Sequence, residues 1–442
     1  MPADLPSQSL SELDRRLAAG ATTSVAIVEA CLASIAAQDH QLHAFIEVYH
    51  RDAVRLAEAA DRERAAGFVR SPLHGLPIAV KDLFHIEGRP TTAGSKSWHG
   101  RISTETALCV RRLLDAGMIP LGKTHLVEFA YGTWGTNKPM GTPWNPADRT
   151  VHRVAGGSSS GSAVAVAAAM APAALGTDTG GSVRIPAALC GLVGLKPTYG
   201  RIPLAGVVPL SRTLDSAGPL SRTVEDAALV AAVMAGEPPP RFGDRPSIEG
   251  ARITAIAPEQ FPDFIEPAVV AAFDATVARL RDLGARVDVA TIPFDFAALG
   301  TRNGRIIGME GYAEYRRVID DPAADVDPGV RARMLLGKAA TAADYLDALA
   351  ERREAMARFD AWMADREALL TPMLPITAWP VAEVDEMAFP LATWSRAVNY
   401  VGACAASLPV DVAGGLPIGM QFIMRGGEDA RLVALCRGVS SP

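Results

Sequence analysis

The chain has 442 residues, 49% hydrophobic and 21% charged, with a net charge of −6. That length supports a large core in one big α/β domain or two ordinary ones, and the acidic balance argues against nucleic acid as an obligate partner. The longest small apolar run, residues 163–175, is too short for a bilayer and contains Pro172, so no membrane span is expected. In chain order, 9–20 (SLSELDRRLAAG) and 23–39 (TSVAIVEACLASIAAQD) read as helices, the second with Val25, Val28, Cys31, Leu32 and Ile35 on one stripe. A third, more polar helix over 51–67 ends at Gly67. GLPIAVKDLF (75–84) reads as a buried strand, 105–117 as a helix and 118–124 (MIPLGKT) as a strand. The same alternation recurs as a helix over 162–171 before a strand over 173–179, and as a helix over 269–284 before a strand over 285–292. Residues 236–250 are rich in Pro and Gly and form a surface crossing. From about 294 to 345 the pattern is irregular, with DDPAADVDPG as a turn, and a long helix follows over roughly 341–365. Such alternation predicts an α/β fold with a mixed, mostly parallel sheet covered by helices on both faces. Residues 1–442 are expected to form a single domain, with a variable, partly helical cover over a site at about 237–390.

The first residues, MPADLPSQSLSELDRR, hold acids and no apolar signal core, and the five cysteines are odd in number and scattered. Buried reduced thiols in a cytoplasmic protein are therefore expected. No cysteine pair has zinc-ligand spacing and no HExxH helix occurs, so neither metal nor cofactor is expected. Only six lysines occur: Lys81, Lys96, Lys123, Lys138, Lys196 and Lys338. Arginine cannot become neutral near pH 7, so each lysine is a candidate for work that arginine cannot do.

RVAGGSSSGSAVAVAAAMA (153–171) places three serines between glycines before a small-residue helix. A phosphate loop would need Gly-Lys-Ser/Thr, but Ser162 and Ala163 follow Gly161. GSSSG also matches a nucleophile elbow centred on Ser159, yet that chemistry needs a later histidine and all eight histidines lie at or before His152. Lysine can serve as base instead. Lys81 ends the apolar strand LPIAV, where burial lowers an amine pKa. Acting as base near pH 7 requires a fall of about three units, about 4 kcal/mol of differential environment. The competing reading is an ion pair with Asp82 or another acid. A second turn, LGTDTGGSVRIPAALCG (175–191), follows a strand and precedes a helix whose first turn Pro186 sets. Gly180 and Gly181 let successive N–H groups converge there, as an oxyanion hole requires, with Ser182 alongside.

These residues resemble the amidase signature family of Ser–Ser–Lys hydrolases. Residues 156–201 resemble its signature block almost throughout, 75–95 its lysine-bearing block and 122–133 the segment between. NYVGACAASLPV and GLPIGMQFI resemble it more loosely. The resemblance implies an amidase signature fold, with Ser182 as nucleophile, Lys81 as general base and Ser158 as the bridging serine after a cis Gly157–Ser158 bond. It also implies an oxyanion hole from Thr179, Gly180, Gly181 and Ser182. Tyr131, Gly132, Thr133 and Arg212 are separate candidates for contact with the substrate. Ser160 departs from the family's usual glycine, and no proline follows the glycine in GACAASLP.

The implied activity is hydrolysis of a non-peptide amide bond through an acyl-Ser182, releasing an acid and an amine or ammonia. Carbamate, aryl-amide or ester hydrolysis by the same triad is an alternative. Another is the A-type amidotransferase chain that supplies ammonia to misacylated tRNA. Its SRYG-like and SSLDQ-like residues are replaced here by GRIPLAGVVPLSRTLDSAGPLSRT (200–223), which is closer to free-standing amidases. A third is an inactive binding protein, against which all three implied catalytic side chains are present. The expected partner is a small amide or carbamate with an apolar or aryl group, neither nucleic acid nor membrane, bound by a monomer or homodimer. Ile307, Met309, Tyr312, Trp394 and Tyr400 are candidates to line its pocket, although core packing is the commoner role for such side chains.

Overall fold

Eleven strands share one sheet in a computed structural model that describes residues 4–244, 246–386, 389–410 and 415–440. They are β1 (Phe45–Val48), β2 (Pro77–Lys81), β3 (Ile119–Thr124), β4 (Ala173–Asp178), β5 (Val193–Lys196), β6 (Ser216–Ser221), β7 (Arg252–Ile256), β8 (Arg286–Ala290), β9 (Ala368–Pro372), β10 (Cys404–Val410) and β11 (Ile418–Met424). Their order across the sheet is β1-β3-β2-β4-β6-β5-β10-β11-β9-β7-β8. The sheet is mixed. The β2–β3, β2–β4, β7–β8 and β7–β9 pairs are parallel and the remaining pairs antiparallel. Region 237–390 is more than a cover, because it supplies β7, β8 and β9 at one end of the sheet.

The local signals act as the sequence suggests. Ser9 and Thr23 cap the helices Leu10–Ala18 and Ser24–Leu42 by accepting the N–H groups of Glu12 and Ala26. The helix Ser24–Leu42 buries Val28, Cys31, Leu32 and Ile35 as read from the stripe, while Val25 is only partly covered. One region departs from expectation. Residues 296–319 form a continuous helix of 24 residues, capped by Asp295, where the sequence pattern looked irregular. Gly300, Gly304, Gly308 and Gly311 interrupt its apolar periodicity and lower its intrinsic helix propensity. Tertiary packing of Leu299, Ile306, Ile307 and Tyr315 holds it instead. The DDPAADVDPG turn does end it, at Ile319.

β2 positions the site. All five of its residues are buried between β3 and β4. Successive strand side chains alternate faces, so Ile78 and Val80 enter one core while Ala79 enters the other. Lys81 continues the Ala79 side. In the parallel register Val80 pairs with Lys123 and Lys81 with Thr124, which sends Lys81 and Lys123 to opposite faces. β2 and β4 also run parallel, so Lys81 and the turn after Asp178 emerge at the same carboxyl end of the sheet.

Candidate active site

Lys81 is fully buried, and its Nζ lies 2.9 Å from Ser158 Oγ, 2.9 Å from Ser159 Oγ and 2.8 Å from Thr177 Oγ1. All three partners are hydroxyls. The acid beside it in sequence, Asp82, pairs instead with Lys123 at 2.9 Å, which removes the ion-pair reading of Lys81. Burial lowers the Lys81 pKa to about 7, against the weaker upward pull of Asp178 and Asp215. The Gly157–Ser158 peptide bond is cis. Ser159 is the N-cap residue of the helix Ser160–Ala167 and also Lys81's second acceptor. Ser160 sits in the first turn, its hydroxyl buried and without a partner.

The turn after β4 is clamped at every residue. Asp178 Oδ1 accepts the Gly181 N–H at 2.8 Å, and its Oδ2 accepts the Val183 N–H at 3.1 Å. Arg184 closes on the same carboxylate with Nη2 at 2.8 Å and Nε at 3.0 Å. Asn399 donates to Asp178 Oδ1 at 2.9 Å and accepts from Arg184 at 2.6 Å. Burial alone would raise the Asp178 pKa, but Arg184, Lys196 and Asn399 together outweigh it and hold the carboxyl well below the usual range. Ser395 donates to the Gly180 carbonyl at 2.7 Å, and Thr179 Oγ1 donates to Asp215 Oδ1 at 2.6 Å. Burial raises the Asp215 carboxyl to about 6 despite the N–H donors of Leu210 and Ser211.

Of the four expected oxyanion donors, one already has an acceptor within the turn. The Gly181 N–H is directed onto Asp178 and is not free. The N–H groups of Thr179, Gly180 and Ser182 have no acceptor among the described residues. Gly181 is required for its conformation instead: it has φ +123°, and a Cβ there would lie 2.5 Å from Ser395 Oγ. Ser182 is nearly buried, and its carbonyl accepts the Ser159 N–H at 3.3 Å, which docks the turn onto the serine segment.

The four expected substrate contacts divide. The Thr133 carbonyl accepts the Gly157 N–H at 2.7 Å, so the 131–133 segment abuts the cis bond through its backbone. Gly132 is packed so tightly that a Cβ would meet Val127 Cγ1 at 2.8 Å. The Tyr131 ring is buried, and its carbonyl accepts Arg333 Nη2 at 2.7 Å. Arg212 is not brought to the cluster. Its side chain is 71% exposed and pairs with Glu314 at 2.8 Å, on the wall of a separate 520 Å³ cavity. Met309 and Tyr312 line that same cavity, whereas Ile307, Trp394 and Tyr400 are core residues. Sequence reasoning missed Thr177, Asp215 and the Arg184–Asn399 lock. Strand alternation along β4 could have flagged Thr177. The lock joins residues 215 positions apart and leaves no local signal.

Among the described residues no cluster of His, Cys, Asp and Glu could hold a metal ion, and no helix is long and apolar enough to cross a membrane.

A family model described as Amidase matches residues 26–433. The chain belongs to the amidase family. One amidase-family relative, the A-type chain of the glutamyl-tRNA(Gln) amidotransferase of Chloroflexus aggregans, is 36% identical over 96% of this chain and 94% of its own. A crystal structure of an amidase superposes with a TM-score of 0.88 at 35% identity, covering 98% of this chain and 99% of that one. The A-type chain of the same amidotransferase from Thermotoga maritima superposes at 0.76 and 30% identity, covering 93% and 90%. The large mixed sheet with its helices is thus the amidase signature fold.

Proposed function

We propose that this amidase-family enzyme cleaves an amide C–N bond through an acyl-Ser182 intermediate, with Ser158 and Lys81 relaying the proton. The observation that carries this reading is a fully buried amine bonded to three hydroxyls and to no carboxylate. A neutral amine has two N–H donors and one lone pair. Ser159 directs its own O–H to the Thr177 carbonyl at 3.3 Å, so it accepts from Lys81. With one N–H also directed to Thr177 Oγ1, the lone pair is left for the Ser158 O–H. Lys81 then takes the Ser158 proton, Ser158 takes the Ser182 proton, and Ser182 Oγ attacks the carbonyl carbon. The N–H groups of Thr179, Gly180 and Ser182 receive the oxyanion. Collapse breaks the C–N bond as the proton returns through Ser158 to the leaving nitrogen. Water attacks the acyl ester by the same relay, releasing the acid and regenerating Ser182.

The same sequence of steps serves carbamates, aryl amides and esters. A second reading, favoured by the sequence identity to the A-type amidotransferase chain, is a glutaminase half-reaction that supplies ammonia to a partner. The higher TM-score of the amidase and the absence of the SRYG-like and SSLDQ-like residues support the free-standing enzyme. The test is a rapid-mixing burst with a para-nitrophenyl ester, with the acylated peptide located by mass spectrometry. Stoichiometric acylation of Ser182, lost in Ser182→Ala, is expected. Undiminished turnover by that variant would overturn the reading. Amide hydrolysis by the isolated chain separates the free enzyme from one that works only within a complex.

A further inference from the structure

Arginines buried in this fold have partners. Arg184 holds Asp178, Arg333 holds Glu386 at 3.0 Å, Arg437 holds Glu225 at 2.9 Å, and Arg352 donates to the carbonyls of Tyr400 and Thr213. Arg396 is different. No hydrogen bond or ion pair involves its guanidinium among the described residues, although the side chain is largely covered. It lies across the reactive turn: a Cβ at Gly180 would be 3.0 Å from Arg396 Cγ and 3.7 Å from its Nε. Gly300 and Gly304, one helical turn apart, leave the lane through which it runs, with Cβ and Nη1 at 3.6 and 3.5 Å from the corresponding positions.

Among the described residues the surroundings offer no counter-charge. Burial pushes the Arg396 pKa down; Tyr131 opposes this and Arg333, another cation, adds to it, and no carboxylate contributes. Asn303 presses on the same point of Gly180, its buried Oδ1 3.4 Å away and without a partner. An unpaired guanidinium beside the turn that carries Ser182 is costly to bury unless something anionic joins it. Because Gly180 has no side chain, that partner can reach the guanidinium and the oxyanion donors together.

We propose that Arg396 is a specificity residue that binds a carboxylate of the substrate, so that the enzyme acts on short amides bearing an acid group a few bonds from the scissile carbonyl, such as half-amides of dicarboxylic acids. This rests on the amide-cleaving reading above and replaces the apolar or aryl group with an anionic one. The Asn303 oxygen is placed to accept an N–H of the same substrate.

The experiment compares malonamate, succinamate and glutaramate with propionamide, butyramide and valeramide. The readout is the ratio of kcat/KM for each acid to that for its neutral counterpart. A charge-assisted pair predicts a wild-type ratio of roughly 10 to 100 for the best-fitting length. Arg396→Gln should bring that ratio to about 1 mainly through KM, and Arg396→Lys should restore part of it. Succinate or glutarate should also inhibit the para-nitrophenyl ester burst in wild type far more strongly than in Arg396→Gln, a readout that needs no amide turnover. A wild-type ratio near 1 for all three lengths, or a ratio unchanged by Arg396→Gln in a variant with native thermal stability, overturns the proposal. If the burst survives and vanishes in Ser182→Ala while the ratio stays flat, only the carboxylate inference fails. If acid inhibition depends on Arg396 but Ser182→Ala acylates normally, the acyl-Ser182 reading fails instead.

Discussion

Two buried lysines on neighbouring strands divide the labour of this sheet. Lys123 on β3 faces Asp82 at 2.9 Å and fills its remaining donors with the Phe84 carbonyl and Thr91 Oγ1. Lys81 on β2, turned to the other face, has three hydroxyls and no acid. The two residues sit at matching depth, both about 1% exposed or less, so burial does not separate them. The counter-ion does. An amine next to a carboxylate is a structural ion pair, and one among hydroxyls can give up its charge and act as a base. Arg396 poses the same problem in reverse: a permanent cation without a carboxylate awaits one from outside.

The largest expected effects break this comparison at the relay. Ser182→Ala, Ser158→Ala and Lys81→Met should each lower kcat by about 10⁴-fold or more, and their combination should cost little beyond the worst single change. Circular dichroism should report a native fold for all three. Lys123→Met should give the opposite pattern, because it strands a buried carboxylate. A stability loss of about 3–5 kcal/mol, read by urea titration, is expected there.

The pH dependence sharpens the contrast. Lys81 acts only when neutral, and its neutral fraction falls as pH drops through about 7. Below that value kcat/KM should therefore decline about tenfold per pH unit. Stability carries the same signature. The unfolded lysine titrates near its ordinary 10.5 and the folded one near 7, so between these values the unfolded chain binds the extra proton. Wild-type stability should rise relative to Lys81→Met as pH increases through that window. The smallest expected effect concerns Ser160. Its buried, unpartnered hydroxyl is a cost, and Ser160→Ala should raise stability by about 1 kcal/mol with activity changed less than about threefold.

Much of this site was legible in the sequence because it is built from local signals. A lysine ends an apolar strand, a glycine pair follows another strand, and lysine is rare enough in this chain for each one to stand out. The resemblance assigned Ser158 and Ser182, which spacing alone could not distinguish from their neighbours. Long-range geometry was not legible. The turn after β4 depends on Arg184 reaching Asn399 and Gln421 from the far end of the chain. The helix Phe296–Ile319 was hidden by the glycines that make room for Arg396. Arg212 lies beyond the site because its loop directs it to Glu314, a partner a hundred residues on that no local pattern announces.

Direct titration of the Lys81 amine decides whether it is neutral in the folded protein. With six lysines in the chain, ¹³Cε- and ¹⁵Nζ-labelled lysine gives a resolvable spectrum, and Lys81→Met, Lys123→Met and Lys196→Met assign the three buried amines whose pKa is lowered, Lys81 to about 7 and Lys196 to about 8. A resonance absent from Lys81→Met that titrates at about 7 is the expected result. A Lys81 resonance that stays that of an ammonium up to its ordinary 10.5 would contradict the relay.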